Sequence, residues 1–357
     1  YSKAGWSARQ INPECPSINA YVLTSLSPDI AVWERNPYFW KVDQEGNQLP
    51  YIDKVIVRKI DDLETIQGQI ISGEVDFACW NTTLENYPLY KTNEEAGGYK
   101  TLLWQSDRGA EVMYMPNENI EEDHLRVLFQ NPKFRQALSL AINREEINDL
   151  LYFGKAVPRQ FTVHPSSNYY EEEWAESYAE YDPEKANELL DEIGLENKDD
   201  QGFRVDENGN RISFVLEYWP EEPTEKTPIS ELVKDYWEAV GIQMSLKPQS
   251  RDLNAQRSEA NQIEMNMWHG GGVTDASWVS TLNPPLPYPG INWAPEWGEW
   301  FYTAGQEGME PPEDIKALYE LGKAFQKEAD PEKKLEMGKE IWKMQAENLW
   351  FIGTVGM

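Results

Sequence analysis

Asn131-Pro-Lys-Phe-Arg-Gln-Ala-Leu-Ser-Leu-Ala-Ile-Asn-Arg-Glu-Glu-Ile147 carries the clearest local code in the chain. Pro132 stands at a first helical position, where a missing N–H costs nothing, and Asn131 before it is a capping residue. Phe134, Ala137, Leu138 and Ala141 recur at i, i+3, i+4 and i+7, which is one apolar helix face. Asn143 ends that helix and caps the next, with Glu146 placed as the returning partner of a capping box. Two helices on one shared polar joint follow from the residues alone.

Upstream, residues 20–26 and 29–35 read as strands around Ser27-Pro28, and Gln44-Glu-Gly-Asn47 reads as a turn before a strand within 49–57. Residues 63–72 have a helical pattern ended by Gly73, followed by an expected strand at 73–77 and a short helix at 83–90. Residues 99–105 and 111–115 alternate as strands, and 117–123 is a polar connection. Downstream, 171–181 is acidic and aromatic, a surface segment. Asp182-Pro183 opens a capped helix that closes at Gly194. Strand 212–219, helix 229–240 and strand 242–246 have the spacing of a βαβ unit. A helix at 250–262 and a strand at 263–268 follow, then a glycine-, proline- and tryptophan-rich loop over 269–310. Two charged helices, 312–329 and 331–348, precede an apolar, strand-like end at 349–355.

The opening stretch resembles the helix-pair signature of the family 5 extracytoplasmic solute-binding proteins, the peptide, nickel and oligosaccharide receptors of bacterial ABC importers. Further segments resemble the family in the same order. They are Glu34-Arg-Asn-Pro-Tyr-Phe-Trp40, Leu49-Pro-Tyr-Ile-Asp-Lys-Val55, Gly73-Glu-Val-Asp76 and Asp182-Pro-Glu-Lys-Ala-Asn-Glu-Leu-Leu-Asp-Glu-Ile-Gly194. The resemblance covers nearly the whole chain and is strongest over 20–76, 131–147 and 182–194. It implies an α/β, two-lobed periplasmic binding protein-like fold of the class II type. Residues 1–114 would be part of lobe one, 115–350 lobe two, and 351–357 a return to lobe one. Lobe one would be incomplete here, with both chain ends short of the family's pattern and strands missing from its sheet. The implied mechanism is binding without catalysis: the lobes close over a solute in an interlobe cleft, hinged near 113–117 and 351. A membrane permease then reads the closed form. The implied location is extracytoplasmic, in the periplasm or as an anchored lipoprotein, and the implied state is a monomer.

With 357 residues, a hydrophobic fraction of 40% and 15 Trp, the chain has ample material for a core, at a mean hydropathy of -0.68. No apolar run is long enough to span a membrane as a helix. The formal net charge of -30 argues against phosphate backbones and anionic lipid surfaces as partners, so no nucleic acid is expected. The three histidines, His124, His164 and His269, are far apart and the two cysteines, Cys15 and Cys79, lack metal spacing, so no metal site is expected. Cys15 and Cys79 either pair or stay free. Neither Gly-x-Ser-x-Gly nor a P-loop occurs, and no cofactor motif is found. Asn197-Lys-Asp-Asp-Gln-Gly202 has a calcium-loop flavour, but Asn208 stands where the closing Glu belongs; with Asp206-Glu-Asn-Gly-Asn210 it reads as a hairpin of turns.

Met265 to Trp278 holds the expected solute site. A strand runs into His269-Gly270-Gly271-Gly272, where backbone approaches a ligand closely. The family's peptide receptors end a similar strand in Trp-x-Gly-Asp, and that Asp pairs with a peptide's terminal amine. Here Trp268 is followed by Gly271 at the Asp position, with Asp275 a displaced substitute. Trp278 and Trp293 crowd the next stretch; aromatic faces suit sugar rings. Trp80 and Tyr114 complete the candidates. The expected solute is an oligosaccharide, with an oligopeptide as the alternative. A ligand sensor docked to a chemoreceptor or kinase, and a secreted carbohydrate-active enzyme, are the readings from other classes.

Overall fold

The computed structural model describes residues 12–79, 81–220, 224–281, 285–288 and 292–357. The chain divides into two compact units, Tyr1–Thr82 with Asn86–Thr101, and Thr83–Glu85 with Leu102–Met357.

The first unit contains an antiparallel meander, β1 (Tyr21–Leu26), β2 (Ile30–Arg35) and β3 (Lys54–Arg58), in that spatial order. Ser27 closes the β1–β2 turn, its N–H donating to the Ile30 carbonyl at 2.8 Å. Asn36 is buried because its carboxamide ties the stretch before β1 to the turn after β2. Its Nδ2 donates to Ser17 O at 3.1 Å and Asn19 O at 2.9 Å, and its Oδ1 accepts from Tyr38 N at 3.0 Å. Helix Leu63–Ile71 is capped by Asp62, and helix Tyr87–Gly97 packs beside it. Gly73 sits at φ +76°, and a Cβ there would lie 1.9 Å from the Gly97 carbonyl oxygen. A glycine is required by both conformation and space. The strands expected at 73–77 and 99–105 form no ladder among the described residues; helix and coil occupy this region instead. Both cysteines are free.

The second unit is built on a five-stranded sheet. Its strands are β4 (Met113–Pro116), β6 (Ser213–Tyr218), β7 (Gln243–Pro248), β8 (Met265–Trp268) and β9 (Ile352–Gly353), in the order β7-β6-β8-β4-β9. Short strands β5 (Val157–Pro158) and β10 (Val355–Gly356) pair separately. β6 and β7 are parallel and joined by helix Lys226–Ala239, the βαβ unit expected from the spacing. β8 is parallel to β6, whereas β4 runs antiparallel to β8 and β9. The carboxyl ends of β6, β7 and β8 therefore share one edge with the amino end of β4. A boundary after residue 114 cuts through β4, and 352–356 pair with β4 and β5, so both segments group with the second unit.

The opening stretch of the sequence forms helices Pro132–Leu140 and Arg144–Tyr152, with the caps as expected: Asn131 Oδ1 accepts from Lys133 N at 3.0 Å and Asn143 Oδ1 from Glu146 N at 3.1 Å. Both arginines of the pair are fully buried, and this was not legible in the apolar pattern. Arg144 donates to the carbonyls of Gly353 at 2.8 Å, Ser139 at 3.0 Å and Ala179 at 3.0 Å, and to Ser139 Oγ at 2.7 Å. Arg135 donates to Asn348 O at 2.7 Å and pairs with buried Glu118 at 3.0 Å. The two helices thus fasten the chain's last strands to its middle. Trp237 Nε1 adds a bond to Leu138 O at 2.8 Å.

Two core clusters follow from strand alternation. On β4, Tyr114 enters one cluster with Phe129, Phe134, Phe214 and Trp237; Met113 and Met115 enter the other with Phe161, Trp278, Trp293 and Trp342. The loop expected over 269–310 contains helices Asp275–Thr281 and Pro295–Tyr302, and the expected surface segment at 171–181 contains helix Glu172–Glu176 with Trp174 buried. In both places abundant Trp, Gly and Glu masked short helices, and the one at 172–176 keeps its glutamates at the surface while burying Trp174 and Ala175. The stretch 197–210 is a hairpin of turns: Asp199 Oδ1 accepts from Gln201 N and Phe203 N, and Asp206 Oδ1 from Asn208 N and Asn210 N.

Candidate functional site

Within the second unit, a cavity of about 570 Å³ lies at the edge shared by the carboxyl ends of β6, β7 and β8. Open α/β sheets present their ligand crevices at such edges, because loops leaving parallel strands splay apart there. Trp219 follows directly on β6, Trp268 ends β8, and Arg251 opens helix Arg251–Glu259 just after β7, capped by Ser250. Met113 and Met115 of β4 and Phe351 form the apolar floor.

Trp219 and Trp268 are half-buried and stack at 5.6 Å between ring centroids, 28° apart. Lys226 Nζ lies 3.7 Å from the Trp268 ring centroid, and Arg251 lies over Trp219 at 5.1 Å. Cations against ring faces hold this aromatic pair in place. His269 leans on Trp268 at 4.9 Å, and its Nδ1 accepts from Gly271 N at 3.3 Å. The glycine run is used for packing as well as access. Gly270 exchanges backbone bonds with Gly109 and Ala110 at 2.8 Å each, and a Cβ at 270 would meet the Phe161 ring at 2.6 Å.

Helix Arg251–Glu259 is fixed from beneath by Glu217. Arg257 grips that carboxylate from Nε at 2.6 Å and Nη2 at 2.7 Å, and Lys247 reaches it at 3.1 Å. Burial alone would raise the Glu217 carboxyl, but these bonds outweigh it and hold the group below its ordinary range. The helix turns Asn254 and Ser258 to the cavity, and Ser258 Oγ donates to Asn292 Oδ1. Tyr288 and Glu259 complete the polar rim.

Of the residues expected at the site, Trp268, His269 and Gly271 line this cavity. Asp275 does not: its carboxylate accepts from Ser167 Oγ and from Asn168 Nδ2 at 2.6 Å, so it braces a loop at the start of its helix. Trp278 and Trp293 are fully buried, Trp278 against Tyr169, Phe325 and Trp342, and Trp293 against Trp297, Trp350 and Phe351. Tyr114 is equally buried, its hydroxyl 3.1 Å from Ser230 Oγ. These three are corrected to core residues, since a ring without exposed surface has no face left for a solute. Trp80 lies outside the described residues. Trp219, Arg251, Asn254, Ser258 and Asn292 were missed; the signal that finds the first two is their place just past parallel strands.

The family model described as bacterial extracellular solute-binding proteins, family 5 Middle, matches residues 1–290. The chain belongs to this family. Family 5 relatives of known structure and name accompany it. The periplasmic alpha-galactoside-binding protein of Rhizobium meliloti is 26% identical over 385 residues, covering 99% of this chain and 51% of the relative. A solved oligopeptide-binding protein, OppA, is 34% identical with a TM-score of 0.68, covering 98% of this chain and 58% of that one. The periplasmic binding protein MelB of Agrobacterium fabrum C58, solved in complex with stachyose, superposes with a TM-score of 0.73 at 21% identity over 95% of this chain and 51% of its own. The chain thus spans about half the length of the relatives it matches. Its fold is the mixed α/β fold of the two-lobed periplasmic binding proteins, and the relatives are named for binding, not for catalysis.

Proposed function

We propose that this family 5 chain is the solute-capturing part of an extracytoplasmic receptor that hands an oligosaccharide to an ABC importer permease. The observation that carries the reading is the Trp219–Trp268 stack at a cavity of about 570 Å³ rimmed by carboxamides and hydroxyls. Aromatic rings bury the apolar faces of sugars, and short polar side chains fix their hydroxyls. Relatives named for alpha-galactosides and for stachyose support the class. The receptor works as a monomer on the outer face of the cell membrane, held there by a lipid anchor or free in a periplasm, and releases its solute unchanged. No described helix is long and apolar enough to cross a membrane.

An oligopeptide is the second reading. A buried ammonium requires a paired carboxylate, because an unpaired one costs several kcal/mol. Asp275 is engaged elsewhere, but Glu259 stands at the cavity rim, and the solved relative at 34% identity is named for oligopeptides. Calorimetry of the intact protein with stachyose, mannohexaose and tetra-alanine separates the two. The proposal expects heat from a sugar and none from the peptide. Micromolar peptide binding that Glu259→Gln abolishes, with silent sugars, overturns it.

A further inference from the structure

We infer that Glu217 is a positioning residue for the cavity: its carboxylate latches helix Arg251–Glu259, a wall that opens independently of the core when the latch is released. The inference rests on the cavity being the solute site, and it deepens that reading by naming the part that moves.

Helix Arg251–Glu259 supplies Arg251, Asn254, Ala255, Ser258 and Glu259 to the cavity lining, at the i, i+3, i+4, i+7 and i+8 positions of one helix face. That face is turned to the cavity rather than to a core. Ser258 is the helix's only buried side chain, and its one large apolar residue, Leu253, is 46% exposed. Helix Lys226–Ala239, which joins β6 to β7, is the contrast, with Ile229, Val233 and Trp237 fully buried. Most helical stability in proteins comes from packing an apolar face, so the wall helix lacks what fixes its neighbour.

Charge holds the wall instead. Glu217 is 3% exposed, one residue before the end of β6, and it grips the wall at both ends. Arg257, in the last turn, donates to both carboxylate oxygens, from Nε at 2.6 Å and Nη2 at 2.7 Å, and carries the following turn through Gln262 O at 3.0 Å. Gln249, just before the Ser250 cap, donates from Nε2 to Glu217 Oε2, and Lys247 reaches the same oxygen at 3.1 Å. Charge-assisted bidentate pairs are strong and directional, so one carboxylate sets where the whole wall stands. Ser258 bonded to Asn292, and Asn266 to Asn254 at 3.3 Å, add single hydrogen bonds. A wall held this way opens locally at a lower free energy than the core, and a solute that touches it in the cavity holds it shut.

The test is hydrogen exchange read by mass spectrometry on the intact protein, without solute and with stachyose or mannohexaose, alongside calorimetry with the same sugars. In wild type the amides of 255–259 are expected to exchange about tenfold or more faster than those of 233–239. Glu217→Gln and Arg257→Gln are each expected to speed 255–259 by about a further tenfold, while 233–239 change by less than about threefold. The sugar that binds wild type is expected to slow exchange at 255–259 and to bind both variants about tenfold more weakly. Equal protection of the two helices in wild type overturns the inference. So does acceleration of both helices together in Glu217→Gln, which makes Glu217 a brace of the whole unit, or of neither. A selective effect of Glu217→Gln that Arg257→Gln fails to reproduce also overturns it, as does a sugar that binds without slowing 255–259. Silence from both sugars, with the selective exchange pattern present, overturns the sugar reading and supports the latch.

Discussion

The helix joint at 131–152 and the cavity at the carboxyl edge of the sheet use polar side chains in opposite ways. At the joint, Arg144 is fully buried and its guanidinium is spent on carbonyls of Gly353, Ser139 and Ala179 and on Ser139 Oγ. At the cavity, Trp219 and Trp268 stay half-buried. The joint contributes to stability by spending the Arg144 guanidinium on four buried or half-buried acceptors. The cavity keeps part of its aromatic surface open, which the proposed binding role requires. Substitutions at the two places should therefore separate cleanly into effects on unfolding and effects on affinity.

The largest effect is expected at the joint. Arg144→Ala removes the guanidinium donors to the Gly353 and Ala179 carbonyls and to Ser139 Oγ and opens a cavity beside β9, so a loss of about 4 kcal/mol or more is expected in denaturant unfolding. Trp278→Ala comes next. Its ring fills space between Tyr169, Phe325 and Trp342, and its removal is expected to cost about 3–4 kcal/mol while the folded fraction retains its solute affinity. A loss of affinity without a loss of stability at Trp278 would erase the distinction between core and site tryptophans.

Glu118 offers a pH-dependent version of the same comparison. Burial pushes its carboxyl up to about 7, against the attraction of Arg135. A carboxyl raised in the folded state binds its proton more tightly there than in the unfolded chain. Its contribution to stability is fully present below the unfolded value of 4.5 and is lost as pH rises through about 7. Between pH 5 and 8 the wild type is expected to lose on the order of 3 kcal/mol relative to Glu118→Gln. Parallel stability curves for the two proteins would show that Glu118 does not titrate in this window.

The fold was legible wherever the residues encode local geometry. Asn131-Pro132, Asn143 with Glu146, and Asp182-Pro183 announce helix starts, and the βαβ spacing over 212–246 announces parallel strands. The site was legible only in part. Trp268 and His269 stand beside a glycine run, which is a local signal. Trp219 and Arg251 reach the same cavity from other strand ends, and only the sheet order brings them there. Trp278 and Trp293 misled because composition counts rings without saying which have an exposed face. Arg135 and Arg144 look like surface charges in a helical pattern; their burial depends on carbonyls of residues 348 and 353, far away in sequence.

The smallest effect in free energy is the most telling. Stachyose and mannohexaose are titrated into the intact wild-type protein and its Trp219→Ala variant by calorimetry, with thermal unfolding as the control. The account predicts that the sugar which binds wild type is weakened by about 1–3 kcal/mol in the variant, the usual scale for an aromatic hot spot, with little change in the unfolding midpoint. Unchanged sugar affinity in Trp219→Ala would contradict the claim that the Trp219–Trp268 edge receives the solute.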